Sequence, residues 1–412
     1  MKILFISNFF GPPGGVESIM YNEAKLLREK GHEVFFFATN KQPYFEKDYK
    51  YIEYFSQYVD FKSLKGIEKL KYLSIFYNFE AEKKLNLLIK EIQPDLAHIH
   101  NTAYYLTSSA LKTCIKNNVP IVKTFHDFRY FCPGGTFMKN NKHCEKESCI
   151  SGNPIKCINN RCKNNSLIDS IMVSAENLFN RSLKLDNNIS RFIFPSQAMY
   201  DLALRAGFNK EKMLLINNFV DDMYLNIEPE YNNKGYFLYV GRLSPEKGIH
   251  YLIDAMSLLP GDIKLHIAGS GSEETNLKKL CEKYHLKNVK FLGVLSGKEL
   301  IDQYSNCIST ILPSICFESF GVTILEAFSC GKPVIASNAG ALPELIEHNI
   351  NGFLVESGNI NHLKGSIEKL SGDNILVINM GKNARKKVER LYSSEIHISK
   401  LIEIYKQVFD KY

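Results

Sequence analysis

No stretch of the 412-residue sequence approaches the roughly 18 consecutive apolar residues that a membrane-spanning helix requires. The N-terminal segment 1–15 has one lysine and a short apolar run that Asn8, Gly11 and two prolines interrupt. This pattern predicts a strand entering a glycine-rich turn, not the apolar core of a secretory signal. We therefore expect a cytoplasmic protein, in which thiols stay reduced and the ten cysteines need not form disulfides.

A strong charge of one sign is also absent, since 51 Lys and Arg residues stand against 44 Asp and Glu residues and the net charge is +7. This excess favours a weak attraction to phosphate or anionic lipid. Nucleic-acid-binding proteins show sharper clustering of basic and aromatic residues, so we expect no nucleic-acid partner. With 45% apolar and 23% charged residues and no internal repeat, the chain is typical of a globular protein of two or three domains.

Short apolar runs alternate with helical patterns in two separate series. The first series predicts strands at 2–7, 34–38, 95–100, 121–126 and 191–195, and the second at 236–240, 263–268, 289–292, 308–312, 333–336 and 352–355. Such alternation implies parallel sheets, so the expected fold class is α/β, with two Rossmann-like domains facing across a cleft. Ligands bind beyond the carboxyl ends of such strands, which places a shared ligand between the domains.

We expect the first domain to span 1–214, with a cysteine-rich insertion at 128–165, and the second to span 215–392. The polar stretch 217–234 is the predicted linker between them.

A glycine-rich turn follows the first predicted strand. Gly14 and Gly15 come directly before a helical pattern, so their backbone can approach an anion without obstruction by a Cβ atom. The segment lacks the G-x-G-x-x-G spacing of dinucleotide-binding loops, and a tight turn that needs glycine explains it equally well.

Two cations follow the first strand of the second series, in the segment GRLSPEKG at 241–248. Pro245 suits the first position of a helix, with Ser244 as its cap. Arg242 and Lys247 then point to the cleft, where a planar fork and a point charge suit a departing diphosphate. The alternative is two unrelated surface cations.

Glu318 and Glu326 stand eight positions apart around a strand-to-helix turn that Gly321 closes. The first lies on the loop and the second in the helix, so both carboxylates can face one cleft. Two acceptors beside a helix N-terminus suit a ligand with hydroxyls at both ends and an anion between them, which is the layout of a nucleotide sugar. Alternatively, Glu318 caps the helix and Glu326 is a solvated helix residue.

Five of the ten cysteines fall within 31 residues rich in Gly, Asn and Lys. In a reducing compartment this density suggests metal ligation, most simply by structural zinc, although the spacing is looser than in a zinc ribbon. A disulfide or a free-thiol loop remains the alternative. The candidate ligands are Cys132, Cys144, Cys149, Cys157 and Cys162.

Lysines and aromatic residues share a helical pattern between Phe61 and Ile92. Such a surface can rest on anionic lipid at the inner face of the membrane, but a solvated helix with one buried stripe has the same pattern. Glu68, Glu80 and Glu82 weaken its basic field. The lysines are Lys62, Lys65, Lys69, Lys71, Lys83, Lys84 and Lys90, and the aromatic residues are Tyr72, Phe76, Tyr77 and Phe79.

Taken together, several motifs resemble the retaining family-4 glycosyltransferases of the GT-B fold. They are Gly14-Gly15, GRLSPEKG at 241–248, AGSGSE at 268–273, FLG at 291–293 and PSICFESFGVTILEAFSCGKPVIAS at 313–337. The similarity covers most of the chain and is strongest from about 213 to 360. The pair of glutamates with seven residues between them is highly specific in this setting.

The resemblance implies a role for each matching residue. Glu318 would contact the sugar hydroxyls of the donor and Glu326 its ribose, while Arg242 and Lys247 would neutralise the diphosphate. Backbone amides at Phe320 and Gly321 would hold the sugar and phosphates, and the turn at Gly14 and Gly15 would also bind the donor. His126 matches the family's histidine near the anomeric carbon, although a lone histidine is more often structural.

The resemblance further implies transfer with retention of configuration by front-face attack, without a catalytic metal. The expected partners are a nucleotide-sugar donor and a glycan or lipid-linked acceptor of cell-surface polysaccharide synthesis. It also implies that the segment 393–412 is a helix returning to the first domain. Two other readings remain open: a GT-B nucleotide-sugar epimerase, or a non-catalytic protein that binds nucleotide sugar or metal and interacts with a partner.

Overall fold

The first half of the chain forms a six-stranded parallel sheet in a computed structural model, which describes residues 1–11, 14–61, 63, 66–139, 142–144 and 147–411. The strands are β1 Lys2–Ile6, β2 Glu33–Phe37, β3 Leu96–Ile99, β4 Ile121–Thr124, the hairpin strands β5 Met138–Lys139 and β6 Lys142–His143, then β7 Arg191–Phe194 and β8 Met213–Leu215. The helices are α1 Gly15–Glu29, α2 Phe79–Ile92, α3 Thr107–Lys116, α4 Glu147–Ile150, α5 Ile155–Asn159, α6 Leu167–Ser182 and α7 Gln197–Arg205. Short 3₁₀ helices lie at Ile52–Tyr54, Gly66–Ile75, Leu185–Asn188 and Lys210–Lys212. The sheet order is β2-β1-β3-β4-β7-β8.

The second half repeats this plan. Its strands are β9 Tyr236–Val240, β10 Lys264–Ala268, β11 Val289–Gly293, β12 Thr310–Leu312, β13 Val334–Ser337 and β14 Gly352–Val355, in the order β11-β10-β9-β12-β13-β14. Its helices are α8 Asp222–Leu225, α9 Ile249–Met256, α10 Glu274–Lys283, α11 Gly297–Asn306, α12 Val322–Ser329, α13 Leu342–Leu345, α14 Ile360–Gly372, α15 Asn374–Leu391 and α16 Ser394–Phe409, with a 3₁₀ turn at Pro245–Lys247.

The expected fold class, two parallel sheets in two Rossmann-like halves, is confirmed. Both faces of each sheet are buried, which explains why the strands read as nearly continuous apolar runs. The short strand β8 and the hairpin β5–β6 were not predicted, because three or two residues carry almost no periodicity. The domain limits themselves stay a prediction.

The helical pattern expected between Phe61 and Ile92 is divided in two. The 3₁₀ helix Gly66–Ile75 ends before Asn78, whose side chain accepts a hydrogen bond from the amide of Ala81 and so caps α2. Lys62 and Lys65 of that pattern lie outside the described residues. Of the helices within the described ranges, none is both long enough and apolar enough to cross a bilayer.

Helix α16 comes from the end of the chain but packs on the first sheet, against α1 and β3. Ile398, Leu401 and Tyr405 are buried in the same core as the residues of β1. The Tyr405 hydroxyl lies 2.6 Å from Nδ1 of His98, a buried residue of β3. The last helix is therefore a structural part of the first half.

Replacement of Leu401 by alanine should reduce the stability of the first half. The side chain is 1% exposed, so the change leaves a cavity that costs about 2–5 kcal/mol. Thermal unfolding should show a lower melting temperature, whereas Lys406→Ala, on the exposed side of α16, should leave it unchanged. Equal melting temperatures for Leu401→Ala and the wild type would contradict this packing.

Candidate active site in the cleft

Two loops of the second half meet at the carboxyl end of its sheet. The carbonyl of Glu246 accepts hydrogen bonds from the amides of Ile315 (2.9 Å) and Cys316 (3.3 Å), which joins the loop after β9 to the loop after β12. Gly248 permits this contact: its φ is 67°, and a Cβ there would lie 2.1 Å from the carbonyl oxygen of Pro313. Ser244 and Pro245 occupy the predicted cap and first helical positions, but the Ser244 hydroxyl bonds to the Glu246 carboxylate and not to a helix amide.

The close contact between these two loops brings Lys247 next to Glu318. The Lys247 Nζ atom lies 2.6 Å from Oε1 of Glu318, and the side chains are 23% and 15% exposed. The hydroxyl of Ser314 donates to the same oxygen at 2.5 Å. None of the described groups donates a hydrogen bond to the second oxygen, Oε2, which is left to accept one from a ligand.

The pair is ionised. Burial alone would raise the pKa of Glu318, but the charge and hydrogen bond of Lys247, the Ser314 hydroxyl and the charge of Arg242 outweigh it and lower that pKa. Burial likewise opposes the charge of Lys247, yet Glu318 raises the Lys247 pKa overall. Arg242 is exposed, but its charge acts on both Glu318 and Lys247, so these three predicted site residues form one electrostatic cluster.

Helix α12 begins beside this cluster. Gly321, the residue before α12, has φ 122°. The ring of Phe320 is buried in the core, so the backbone of Phe320, and not its side chain, faces the loop that carries Glu318. The amides of a first helical turn have no partner inside the helix. Gly340 lies against the backbone of Glu318, since a Cβ at 340 would be 2.3 Å from the Glu318 carbonyl oxygen. An anion could therefore approach both amides and cations.

Glu326 does not join the Lys247–Glu318 pair. Its Oε2 accepts a hydrogen bond of 2.6 Å from the hydroxyl of Tyr304, which is fully buried. Burial raises the Glu326 pKa, Tyr304 lowers it, and the nearby Asp221 raises it again. Glu326 is thus held in place and is not a freely solvated helix residue, while its contact with ribose stays a prediction.

The glycine turn of the first half carries a carboxylate that the sequence analysis missed. No atom lies within 4 Å of the Cβ position of Gly15, whereas a Cβ at Gly14 would be 1.9 Å from Oε2 of Glu17. Glu17 is 8% exposed, and burial raises its pKa, although Arg129 and Lys41 lower it. The Glu17 carboxylate therefore lies against Gly14, whereas the space beside Gly15 is open. The available signal was an acidic residue in a first helical turn.

His126 follows β4, and its Nε2 lies 2.9 Å from Nδ1 of His100. Burial lowers the His126 pKa to about 4, although Asp127 raises it, so the ring is neutral at pH 7. The ring borders a cavity of about 130 Å³ that Arg129 and Glu176 also line. Sequence reasoning missed Glu176 because α6, which carries it, is distant along the chain. Arg129 lies only three residues after His126, and its local sequence gave no motif that singled it out.

The two halves touch next to these residues. The ring of Phe317 lies 5.6 Å from the ring of Phe128 and 5.8 Å from that of Phe137, measured between centroids. Phe317 precedes Glu318 directly, and Phe128 follows His126 by two residues. The structure therefore brings His126 and the Lys247–Glu318 pair to the same region of the cleft.

The five clustered cysteines also converge. Cys149 and Cys157 are buried together, with Cys162 packed against them, while Cys132 and Cys144 belong to the adjoining core of the first sheet. Cys132, Cys157 and Cys162 are free thiols. A hydrogen bond with Cys162 lowers the pKa of Cys157 to about 7. Among the described residues, three potential metal-binding atoms come within 4.8 Å of one another only in Glu23, His98 and His100, so no three of the cysteine sulfurs lie this close together.

Known proteins are similar to this chain in sequence and in fold. The profile described as "Glycosyltransferase Family 4" matches residues 13–223, more than half of the chain, and that of "Glycosyl transferases group 1" matches 222–387. An uncharacterised glycosyltransferase of Methanocaldococcus jannaschii is 27% identical over 81% of this chain and 80% of its own. A poly(ribitol-phosphate) alpha-N-acetylglucosaminyltransferase of Staphylococcus aureus is 24% identical over 88% of this chain and 73% of its own.

A solved structure has the same fold. The Anabaena HepE protein in complex with UDP-glucose has a TM-score of 0.71 and 22% identity, covering 99% of this chain and all of the other. The two facing sheets and the family match define the protein as a glycosyltransferase with the GT-B fold. The chain belongs to glycosyltransferase family 4, which confirms the resemblance found in the sequence.

The Lys247–Glu318 pair should stabilise the protein in a defined pH window. The lowered pKa of Glu318 makes its contribution present above the usual value of 4.5 and lost as pH falls through the lowered value. The raised pKa of Lys247 makes its contribution present below 10.5 and lost as pH rises through the raised value. Glu318→Gln should therefore lower the melting temperature between about pH 6 and 9, with the difference vanishing in acid.

Melting curves of wild type and variant across this range test that expectation. Glu282→Gln, an exposed position on α10, is the matched control and should change the melting temperature little at any pH. A Glu318→Gln effect of the same size at low and neutral pH would show that the pair is not ionised.

Proposed function

We propose that this protein transfers a sugar from a nucleotide-diphosphate donor to a glycan or lipid-linked acceptor in cell-surface polysaccharide synthesis. The observation that carries the proposal is the ionised Lys247–Glu318 pair beside Arg242 and the start of α12. One carboxylate oxygen there is free among the described residues to accept a hydroxyl, and the cations stand next to it. This arrangement suits a polyol joined to a diphosphate.

The same residues suggest the chemistry. Charge develops on the diphosphate as the glycosidic bond breaks, and Arg242, Lys247 and the first-turn amides of α12 would neutralise it. A catalytic metal is then not required for this purpose. Glu318 would hold sugar hydroxyls and Glu326 the ribose, so the two carboxylates would not flank one bond as the acid and nucleophile of a glycosidase do.

Retention of configuration forms part of the proposal. Lys247 and Ser314 engage Oε1 of Glu318, and Oε2 would be taken up by the sugar hydroxyls of the donor, so we expect no carboxylate nucleophile at the anomeric carbon. Front-face attack, in which a leaving diphosphate oxygen takes the acceptor's proton, fits such a site. His126 would face the anomeric region from the first half.

Relatives support the choice of substrates. The HepE structure contains UDP-glucose, so UDP-sugars are the first donors to examine. The Staphylococcus relative is named for a polyol-phosphate polymer as its acceptor. We propose that this chain likewise modifies a surface glycan or its lipid-linked precursor.

Lys247→Ala and Glu318→Ala should abolish sugar transfer while the protein stays folded, because each removes one member of the ionised pair from a surface cleft. Transfer is measured with a panel of nucleotide sugars, after thermal stabilisation has selected the donor that binds. Lys264→Ala and Glu282→Ala, exposed positions in the same half, are the matched controls and should keep wild-type rates. Wild-type turnover by either site variant would refute the proposal.

We also propose that the converging cysteines hold a structural metal, most simply zinc, since thiolates at such density are preferred zinc ligands. Protein purified without oxygen should contain about one metal ion per chain. Joint replacement of Cys157 and Cys162 by serine should release it, whereas Cys281→Ser, a buried cysteine outside the cluster, should not. Metal-free protein with full activity would contradict this role.

A membrane-facing surface is the third proposal. Phe79, Lys83, Leu87 and Lys90 are exposed and follow one face of α2, with Phe79 76% exposed. Such a stripe suits anionic lipid, where apolar and basic side chains act together. Flotation with anionic liposomes should carry the wild type upward more than Phe79→Ser. Ile375 is about equally exposed and lies in the other half, so Ile375→Ser should float as the wild type does. If the wild-type protein does not float with anionic liposomes, the proposal is excluded.

A further inference from the structure

Beneath the cleft lies a chain of buried polar groups that links α16 to His126. The Nε2 atom of His397 lies 2.9 Å from Oε1 of Glu23, and its Nδ1 atom lies 2.8 Å from the carbonyl oxygen of Asn217. The second oxygen of Glu23, Oε2, lies 3.7 Å from Nε2 of His100. Nδ1 of His100 in turn contacts Nε2 of His126.

The positions of the protons in this chain of polar groups follow from its end at Asn217, where the direction of the hydrogen bond is fixed. A carbonyl oxygen can only accept, so Nδ1 of His397 carries a hydrogen and donates it to Asn217. Exactly one further proton must then lie between Nε2 of His397 and Oε1 of Glu23, whichever atom holds it. Burial raises the pKa of Glu23, although the hydrogen bond and charge of His397 lower it. A proton on Oε2 in addition to the shared one would leave His397 as a buried cation without a counter-ion, which a low-dielectric site disfavours. Oε2 of Glu23 therefore carries no proton and can only accept.

Two atoms of the chain have no hydrogen-bond partner among the described residues, and they face each other. They are Oε2 of Glu23 and Nε2 of His100, on side chains that are 2% and 0% exposed. The distance of 3.7 Å is too long for a direct hydrogen bond. In a buried, low-dielectric site, however, an acceptor oxygen strongly favours an N–H over a lone pair opposite it.

The position of the hydrogen on His100 also determines the position of the hydrogen on His126. Burial lowers the pKa of His100 and of His126, so both rings are neutral and each carries one hydrogen. If Nε2 of His100 has the hydrogen, its Nδ1 is an acceptor. Nε2 of His126 must then donate across the 2.9 Å contact, which leaves Nδ1 of His126 with a lone pair.

We propose that His100 and Glu23 are positioning residues that hold His126 in the Nε2–H tautomer, so that its Nδ1 accepts a hydrogen bond from a substrate hydroxyl. The part about substrate rests on the proposed function, because the ring borders the cavity beside the Lys247–Glu318 region. His126 then acts as a neutral acceptor, not as an acid. Helix α16 contributes to this arrangement through His397, which gives one reason why the first half needs the last helix.

The tautomer can be measured directly, without substrate. In full-length protein labelled with ¹⁵N-histidine, the two ring nitrogens of His126 are identified by comparison with His126→Gln. We expect a neutral ring at pH 7 with the hydrogen on Nε2. A hydrogen on Nδ1, or a doubly protonated ring, would overturn the proposal whether or not the protein transfers sugar. So would a metal ion bound by Glu23 and His100, because it would take the Nε2 lone pair of His100.

Two pairs of variants test the chain itself. Glu23→Gln can donate its amide to His397 and keep a carbonyl towards His100, so it should preserve the His126 tautomer, whereas Glu23→Met should give a mixture. His100→Leu should reduce the transfer rate about tenfold, the effect of one lost buried hydrogen bond, and His100→Asn should recover most of it because its carbonyl can replace Nδ1.

The outcomes separate this proposal from a purely structural role. If His100→Leu and His100→Asn lose activity equally while both stay folded, or if Glu23→Met keeps a single Nε2–H tautomer, the proposal fails. If no donor is turned over by the wild type, the proposed function fails, but the spectra still decide the tautomer.

Discussion

The cleft depends on one close approach, that of the loops after β9 and β12. Two amides of the second loop bond to a single carbonyl of the first, and Gly248 leaves room for the contact. From that approach follow the pairing of Lys247 with Glu318, the lowered pKa of the carboxyl group and the position of both beside the start of α12. An ion pair with one unused carboxylate oxygen differs from a closed salt bridge, because a ligand can bind without breaking it.

The two halves contribute opposite kinds of polarity. The second half offers cations and helix amides at the surface of the cleft, which suit a diphosphate. The first half offers His126, Glu17 and Glu176, whose charges burial suppresses, together with the cation Arg129. Phe317 joins these surfaces by packing its ring against those of Phe128 and Phe137, which also contact each other. The donor's charged part and the acceptor's hydroxyls can thus be recognised by different domains.

The last helix links stability to the site. Apolar residues of α16 complete the core of the first half, and its polar residues His397 and Tyr405 reach the buried side chains Glu23 and His98. Most buried polar groups are hydrogen-bonded, and each shared proton in such a network fixes the donor and acceptor roles of the next group, so these contacts constrain one another's proton positions. A segment far from the cleft in sequence in this way affects the histidine that borders it.

Local periodicity was sufficient to predict the alternation of strands and helices and the two sheets. It also placed Arg242, Lys247 and Glu318 at strand ends. Buried parallel strands and the turns that follow them leave recognisable patterns in a few consecutive residues, which is why these features could be predicted. It could not reveal the Glu17 carboxylate over the glycine turn, the bond between Glu326 and Tyr304, or the approach of His100 to Glu23. Those contacts join residues far apart in the chain. Only tertiary packing decides them, since burial and proton sharing depend on which distant side chains meet.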